Sequence, residues 1–399
     1  QVVGGAGGEG SFLMDNCGGD VVNITAAMRT PLAPQTTWAR DVEYFEVEEQ
    51  LPVQRTARYI VVANSFDGST YTVDSALYEW TGGRLEAVAP NPFENTKGAY
   101  HWRHFVMGGA HYLVVANHYD DQGNGYGSPS VIYKLAYSAA LGKSAFTPVQ
   151  SISTAGAAAW EAFAVGEDTY LAVANYFNGS HFDINSKVFK LARTNPDTPL
   201  PRVVSVQSIP TRGARCVEAF AAGGVQYVAF CNRWGGDITV YRWDAATAQF
   251  ALWHTIASRA VLALDSFSRG GTLYLAAVNI GRAGPGSESD TSAVYYYDPA
   301  TMSGFAKLQD LTTEGASGVE HFVHGGEDWL AVANVHDPLV ANGSSQLYRW
   351  EGGAFSPVFD LPTDSAYALS FFTVPCETTA SDGQPCGSRA AGGPVFAGH

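Results

Sequence analysis

One short stretch recurs along this chain and constrains its fold more than any other feature. Residues Trp160–Asn175 (WEAFAVGEDTYLAVAN) join two apolar runs, rich in β-branched and aromatic residues, through a Gly-Glu-Asp turn. This pattern predicts a β-hairpin. Related stretches are Tyr100–Asn117, Ala214–Asn232 and Ser317–Asn334, with weaker copies at Asp41–Asn64 and Leu264–Asn279.

One aromatic residue marks each copy, and a further one lies near the C-terminus. These anchors are Phe45, Phe105, Phe163, Phe220, Phe267, Phe322 and Phe371, spaced 47 to 60 residues apart. A period in this range is typical of a propeller or a solenoid. Each unit has too little apolar surface to fold by itself and must bury it against its neighbours. The repeat therefore indicates a single domain, although the length of 399 residues alone would suggest two or three.

Each unit is predicted to contain four strands. In the third unit these are Trp160–Val165, Thr169–Asn175, Lys187–Leu191 and Val203–Ile209, and both faces are apolar, as in a sheet packed between neighbours. We predict an all-β chain, a single seven-bladed β-propeller of four-stranded antiparallel blades over residues 1–399. The predicted blades are 38–97, 98–154, 155–211, 212–257, 258–313, 314–363, and 364–399 together with 1–37.

The last blade is predicted to close the ring by pairing both ends of the chain. Too few residues follow Phe371 for a whole blade, and too many precede Asp41 for a tail. We expect Tyr367–Val374 and Pro394–His399 to supply its two inner strands. The expected outer strands are Ser11–Asp15 and Val21–Met28.

The net charge and several short motifs indicate which kinds of partner and which cellular compartment are compatible with the sequence. The formal net charge of −15 argues against nucleic acid and anionic membranes as partners, and no apolar stretch is long enough to span a bilayer. The chain begins Gln-Val-Val, as a processed chain would. Glycosylation sequons occur at Asn23, Asn178 and Asn342. Together these features favour a secreted or cell-surface protein.

The five cysteines favour the same compartment. Cys216 and Cys231 flank a turn symmetrically and should face each other, either as a disulfide or as two buried thiols, with the bridge preferred outside the cell. Cys376 and Cys386 bracket a Gly/Ser-rich insertion and are predicted to staple it. Cys17 is left over, and could pair between chains or with either C-terminal cysteine.

A ring of charged side chains is predicted around the propeller axis. The residues two positions before the anchors are Glu43, Arg103, Glu161, Glu218, Asp265, Glu320 and Leu369. If the first strand of each blade lies nearest the axis, these side chains line a central channel. They could form a cation or ligand site. The preferred interpretation is that each carboxylate accepts hydrogen bonds from backbone amides of the adjacent blade.

The repeats resemble a known family. The pattern YLxVAN, then S-x-x-Y-x-W and F-x-x-x-Q-x-I-x-T, resembles the EPTP repeat, also called the epitempin or EAR repeat. Trp38–Phe45 (WARDVEYF) is similar to W-x-R-D-x-D-V-E-Y-L in the LGI (leucine-rich glioma inactivated) proteins. The resemblance covers roughly residues 38–374 and implies an extracellular seven-bladed propeller that binds proteins and has no known catalysis. Nothing here corresponds to the leucine-rich domain of those proteins, so their partners are not transferred.

The same resemblance implies calcium in the channel, held partly by the Asp41 carboxylate and the Val42 carbonyl. A hard cation needs several oxygen ligands. The residues aligned with Asp41 in the other units are His101, Ala159, Cys216, Ala263, Gly318 and Tyr367, and none is a carboxylate. Calcium is the one cofactor that the sequence suggests.

No nucleophile elbow, metal-binding histidine pair or phosphate loop is present. The leading prediction is a secreted, non-enzymatic interaction or adhesion propeller that binds an extracellular protein or glycoconjugate, alone or within a larger assembly. Candidate contacts in the loops after the second strands are Tyr119, Tyr126, Tyr176, Phe177, His181, Phe182 and Trp234, although each could pack under its own loop. The alternative is a propeller glycoside hydrolase or a glycan-binding lectin that uses channel carboxylates.

Overall fold

A computed structural model describes most of the chain. The described residues are 38–49, 54–81, 84–195, 198–280, 291–297, 304–313, 315–335, 344–361, 363, 366–375 and 390–398. Every regular element among them is a β-strand. Neighbouring strands of each sheet pair antiparallel.

The strands form six four-stranded sheets. The first six strands are β1 (Ala39–Glu49), β2 (Arg55–Asn64), β3 (Thr72–Val73), β4 (Ala76–Thr81), β5 (Arg84–Ala87) and β6 (Thr96–Lys97). Blade 1 is formed by β1, β2, β4 and β5, whereas the short strands β3 and β6 pair with each other. Blade 2 is β7 (Ala99–Met107), β8 (Ala110–Asn117), β9 (Ser130–Ser138) and β10 (Lys143–Ile152). Blade 3 is β11 (Ala157–Val165), β12 (Asp168–Asn175), β13 (Asp183–Asn195) and β14 (Thr198–Arg212).

The second half of the ring repeats this order. Blade 4 is β15 (Ala214–Ala222), β16 (Val225–Asn232), β17 (Asp237–Asp244) and β18 (Gln249–Ala257). Blade 5 is β19 (Val261–Arg269), β20 (Thr272–Asn279), β21 (Ser292–Tyr297) and β22 (Phe305–Leu311). Blade 6 is β23 (Ala316–His324), β24 (Glu327–Asn334), β25 (Ser345–Glu351) and β26 (Ala354–Leu361). A terminal hairpin follows, β27 (Ala366–Pro375) paired with β28 (Ala390–Gly398).

The prediction of seven four-stranded blades is therefore corrected to six. The two strands expected from the C-terminal end do pair, as β27 and β28, and β27 packs between the first strands of blades 6 and 1. Within the described residues this last sheet has two strands. The segments predicted as its outer strands, Ser11–Asp15 and Val21–Met28, lie outside the described residues. The all-β propeller of four-stranded antiparallel blades is confirmed.

The cores lie between the blades, which is why both faces of each sheet are apolar. One cluster joins Phe45 and Tyr59 of blade 1 to the fully buried Trp102 of blade 2, and equivalent clusters join each later pair of neighbours. A further cluster joins blade 1 to Ala368 of the terminal hairpin. Each sheet is thus stabilised by its neighbours on either side.

The asparagine that ends each second strand is nearly fully buried and organises the loops around it. Asn175 donates from Nδ2 to the Asn185 carbonyl (2.9 Å) and accepts the Ala155 amide on Oδ1 (3.1 Å). Asn117 bonds in the same way to Pro129 and Lys97. These bonds fix the chain where it enters the first and third strands of the same blade, since buried backbone groups need partners.

One detail of the last strand differs from the sequence alignment. The register break in β27 lies between Ala366 and Ala368, and the equivalent break in β1 lies between Ala39 and Asp41. Ser370, rather than Leu369, therefore occupies the position of Glu43, and Ala368, rather than Tyr367, that of Asp41. Two adjacent phenylalanines made the anchor ambiguous, and a slip of one residue moves every side chain to the other face.

Candidate functional site

The first strands of the blades enclose a central cavity. Neighbouring first strands contact one another around the whole ring, from β1 to β27 and back to β1. The cavity between them has a volume of about 340 Å³, and all of its lining residues come from these seven strands. This confirms that the first strand of each blade lies nearest the axis.

Each first strand carries a β-bulge near its start, and the bulges form one level of the channel. The register breaks in β1 and β7, for example, occur at Arg40 and Tyr100. A bulge inserts one residue that does not pair with the neighbouring strand, and it changes the direction in which that residue's side chain points. The bulge residues, all of which line the cavity, are Arg40, Tyr100, Ala158, Arg215, Leu262, Ser317 and Tyr367. We call this level the channel mouth.

The predicted charged ring lies three residues further along the strands. Its carboxylates accept backbone N–H groups from the following sheet. Glu43 accepts from His104 (2.8 Å), and Glu320 from Phe371 (3.0 Å). Glu218 accepts both the amide (3.2 Å) and the hydroxyl (2.7 Å) of Ser266, and Asp265 accepts the amide of His321. These bonds agree with the preferred interpretation that the carboxylates link adjacent blades.

Arg103 is the one cation of the ring itself. Its guanidinium forms an ion pair with Glu161, which is 8% exposed, and lies 3.6 Å from Glu43. One arginine thus stands among five carboxylates, and the remaining negative charge is opposed mainly by backbone dipoles.

Burial in the channel shifts the acid–base behaviour of the ring. Desolvation raises the pKa of Glu43, Glu161, Glu218, Asp265 and Glu320, while Arg103 and the backbone hydrogen bonds lower it. Close, buried carboxylates disfavour one another's charged form. The ring consequently holds protons at pH values where free carboxylic acids have lost them.

Asp41 lies between the mouth and the ring, and its pKa is raised to about 6 by burial. Its Oδ2 accepts the Trp102 amide (2.8 Å) and lies 4.0 Å from Nε2 of His101. Among the described residues, no three acidic, histidine or cysteine side chains converge so as to hold a metal. The donor set around Asp41 and Val42 therefore does not fit calcium well. Calcium binding stays a prediction, which calorimetry with calcium on the chelated wild type and Asp41→Ala tests.

The channel mouth contains two cations and two aromatic rings. The Arg40 guanidinium carbon lies 4.1 Å from the Tyr367 ring centroid and 5.2 Å from that of Tyr100. The Arg215 guanidinium carbon lies 4.4 Å from the Tyr100 centroid. His118 stacks on Tyr100 (3.9 Å), and burial, reinforced by Arg215, lowers its pKa to about 3. A neutral histidine and two arginines therefore surround Tyr100.

The channel mouth was not predicted from the sequence. A bulge cannot be seen in a sequence, so Arg40 and Arg215 appeared to be ordinary strand residues. The only available signal is their place directly after the small residue that opens each first strand, such as Ala39 or Ala214.

A continuous line of aromatic rings flanks the mouth on the loops of blades 1 to 4. We call it the aromatic arc, and successive ring centroids are 4.5 to 5.7 Å apart. Its members in order are Trp38, Phe66, Tyr71, Tyr119, Tyr126, Phe177, Phe182 and Trp234. Three of the contacts cross from one blade to the next: Tyr71 to Tyr119, Tyr126 to Phe177, and Phe182 to Trp234.

Most of the loop residues predicted as contacts come together in this arc. Its inner members are half-buried, but Trp38 and Trp234 at its ends are 46% and 54% exposed. Tyr176 accepts a hydrogen bond from the Trp234 indole (2.9 Å), and His181 is exposed beside the arc. The rings therefore pack on neighbouring blades as well as on their own loops.

Glycine is required beneath the arc. Gly156 and Gly213 have φ values of +52° and +59°. A Cβ atom would lie 2.5 Å from the Phe177 carbonyl oxygen at Gly156, and 2.4 Å from Cδ1 of Trp234 at Gly213. The absence of a side chain lets the rings lie close to the backbone.

The disulfide prediction is confirmed where the structure describes it. Cys216 and Cys231 are bonded, with Cα atoms 5.1 Å apart. Cys17, Cys376 and Cys386 lie outside the described residues, as do Asn23 and Asn342. Asn178 is exposed at the tip of the loop that carries Phe177, and its glycosylation stays a prediction.

Repeated four-stranded sheets around a charged channel define an all-β propeller, and the comparison with protein families identifies its repeats. The EPTP domain model matches residues 95–135, 145–190, 204–244 and 304–351. The chain belongs to the EPTP (EAR) repeat family of propellers.

Two curated relatives carry these repeats in their names. The human thrombospondin-type laminin G domain and EAR repeat-containing protein is 32% identical over 299 residues, which cover 72% of this chain and 42% of that protein. The mouse protein of the same name is 32% identical over 301 residues. The chain thus spans 42% of the length of these relatives.

Two similar solved structures support the propeller fold and nothing further. The Pseudomonas aeruginosa periplasmic gluconolactonase PpgL is similar with a TM-score of 0.52 and 17% identity, over 79% of this chain and 84% of that one. Sqt1 from Chaetomium thermophilum has a TM-score of 0.50 and 12% identity, over 84% and 75% of the two chains. Among the described residues there is no helix of the length and apolarity that crossing a bilayer requires.

Proposed function

We propose that this chain is an extracellular, non-enzymatic interaction propeller that binds a partner protein through the face bearing the aromatic arc and the channel mouth. The arc is the observation that carries the proposal. Tyrosine and tryptophan dominate the energetics of protein interfaces. Rings that are already stacked lose little conformational freedom on binding.

The extracellular assignment rests on three supports. The relatives carry a thrombospondin-type laminin G domain in their names. The Cys216–Cys231 disulfide is of the kind that persists in oxidising compartments. The sequon at Asn178 is exposed and available to a glycosylation enzyme.

The alternative function is a glycoside hydrolase or lectin that uses the channel. A carboxylate-lined cavity with raised pKa values favours it, because such groups cluster at catalytic sites. A glycosidase needs two carboxyl groups free to reach substrate. Four of the five ring carboxylates already accept backbone amides of the next sheet, and the fifth pairs with Arg103. This arrangement favours the non-enzymatic function. Turnover of aryl glycosides by the wild type, lost in Glu218→Gln, would support the alternative.

Site-specific photocrosslinking tests the proposed face. A photoreactive residue placed at Trp234 is compared with one at Val323, which is 57% exposed at the opposite end of a first strand. On the native cell surface or extracellular matrix, we expect saturable crosslinks to a protein from position 234 and none from 323. Unlabelled propeller should compete for them. Equal labelling from both positions would contradict the proposal.

The Asn178 glycan supplies a control for the same experiment. A glycan at this position would stand beside Phe177 of the arc. Asn178→Gln should retain the crosslinks from position 234 and strengthen them if the glycan shields the face. Loss of the crosslinks would mean that the glycan, not the arc, is what the partner binds.

We also propose that residues 1–37 complete the last sheet. In the described part of the chain, β28 pairs with β27 on one side, and an unpaired strand edge invites aggregation. Deleting residues 1–37 should lower the melting temperature and promote aggregation. An unchanged melting temperature would show that the ring closes without them.

A further inference from the structure

We propose that the channel mouth binds one carboxylate of a partner protein, the side chain of an aspartate or glutamate, between Arg40 and Arg215. This inference deepens the proposed protein-binding function and rests on it. It follows from the placement, pairing and surroundings of the two arginines.

The two guanidinium groups point to one place. Both arginines are bulge residues, on β1 and β15, so their side chains are turned out of the sheet ladder toward the cavity. Both also lie against the ring of Tyr100, with guanidinium carbons 5.2 and 4.4 Å from its centroid. A single anion beside Tyr100 could therefore reach both.

Neither arginine is paired with a carboxylate in the described part of the chain. Arg215 donates no hydrogen bond there, and Arg40 makes one long contact, Nε to the Ser65 hydroxyl at 3.5 Å. Asp41, which follows Arg40 in the cavity wall, already accepts the Trp102 amide. Partly desolvated cations without an anionic partner are costly, and burial beside Arg40 and Arg233 lowers the pKa of Arg215. An arriving carboxylate would relieve this imbalance.

The remaining bulge residues leave room for a side chain. Ala158 lies between Tyr100 and Arg215 in the ring order, Leu262 and Ser317 lie between Arg215 and Tyr367, and all three are shorter than the arginines. The cavity of about 340 Å³ suits a few side chains rather than a polymer. Guanidinium groups bind carboxylates through paired, charge-assisted hydrogen bonds, so an aspartate or glutamate is the expected occupant.

Net charge favours an isolated carboxylate over a polyanion. The chain carries a formal charge of −15, and a sulfated glycan lying across the face would meet that repulsion along its length. A single carboxylate on a partner loop meets mainly the two arginines, because salt screens charges beyond about 8 Å.

Arginine-selective NMR tests the inference on the full chain. The protein is labelled with ¹⁵N-arginine and titrated with N-acetyl-aspartate N-methylamide, with the isosteric asparagine compound as the neutral control. Variants are Arg215→Gln and Arg40→Gln. Arg349→Gln is the matched control, because Arg349 pairs with Glu351 on the third strand of blade 6, outside the cavity lining.

We expect the aspartate compound to shift the Nε–H signals of Arg40 and Arg215 saturably, and to bind at least tenfold more tightly than the asparagine compound. Either mouth variant should abolish that preference, and Arg349→Gln should retain it. Equal binding of the two compounds, or no shift at either arginine, would overturn the inference while leaving crosslinking at position 234 intact. Tighter binding of a heparin disaccharide would assign the site to a glycan instead. Carboxylate binding without protein crosslinks at position 234 would refute the assignment to a protein partner.

Discussion

The channel mouth and the charged ring are two levels of the same strands, and they treat charge in opposite ways. Arg215 of the mouth and Glu218 of the ring are three residues apart on β15. Glu218 is bonded to the amide and hydroxyl of Ser266 in the next blade. Arg215 lies against Tyr100 and has no carboxylate partner in the described residues. Charge in the ring therefore joins blades, whereas charge in the mouth is available to a ligand.

The largest expected effect is at the disulfide that separates these two levels on β15. Cys216 lies directly after Arg215, and its bond to Cys231 anchors the bulge to β16. Replacing both cysteines by alanine should lower the free energy of unfolding by about 3 kcal/mol, because the bridge closes a loop of 15 residues. Urea denaturation measures the change, with reduced wild type as the control. A loss below about 1 kcal/mol would mean that packing, not the bridge, holds the bulge.

Removing the ring partner of Arg103 should have the next largest effect. Glu161→Ala leaves Arg103 with its longer contact to Glu43 and should cost about 2 kcal/mol. This is below the range for fully buried pairs, because Arg103 is partly exposed to the cavity. Denaturation of Glu161→Ala and Glu161→Gln gives the values. No loss of stability would contradict a structural role for the ring.

The ring should also make stability depend on pH. Burial raises the pKa of Glu218 and Asp265, so the folded chain keeps protons that the unfolded chain releases above about pH 4.5. The free energy of unfolding should therefore fall as pH rises from 5 to 8, by up to about 1.4 kcal/mol per pH unit for each proton retained.

Urea denaturation at pH 5 and at pH 8 measures this slope. Glu218→Gln, which cannot titrate, should show a shallower dependence than the wild type. Stability that rises over this interval would mean that the ring is fully ionised in the folded state.

The smallest effect on stability is expected at the mouth. Arg215→Ala removes a cation–π contact with Tyr100, which is worth about 1 kcal/mol at a partly desolvated site, and relieves repulsion from Arg40. The net change in unfolding free energy should stay within about 1 kcal/mol. A loss as large as that of Glu161→Ala would remove the distinction between the two levels.

The fold class could be predicted from the sequence because each repeat contains the same pattern independently of the others. The buried asparagine at the end of YLxVAN, the Phe45–Tyr59 type of stacked pair and the apolar faces are all local features with a fixed period. The ring position of Glu43 and its relatives followed from counting along these strands. Cys216 and Cys231 followed from symmetry about a turn.

The features that could not be predicted from the sequence depend on strand register, on bulges and on contacts between distant loops. The position of the seventh anchor was predicted wrongly because Phe371 and Phe372 are adjacent. Phe371 stacks on Phe322 (4.0 Å) in the same way that His104 stacks on Phe45. The number of complete blades depended on a chain-end pairing that no local pattern specifies. The mouth depended on bulges, which add one residue without changing composition. The arc depended on loops from four blades meeting in space.

The bulges have a consequence for how such propellers can diverge. A residue outside the strand ladder contributes no paired backbone bond and little to the cores between blades, so its replacement leaves the scaffold nearly untouched. Seven such positions encircle one opening, and this chain uses four of them for arginine or tyrosine. Related rings could exchange these side chains and acquire different ligands while retaining the same architecture.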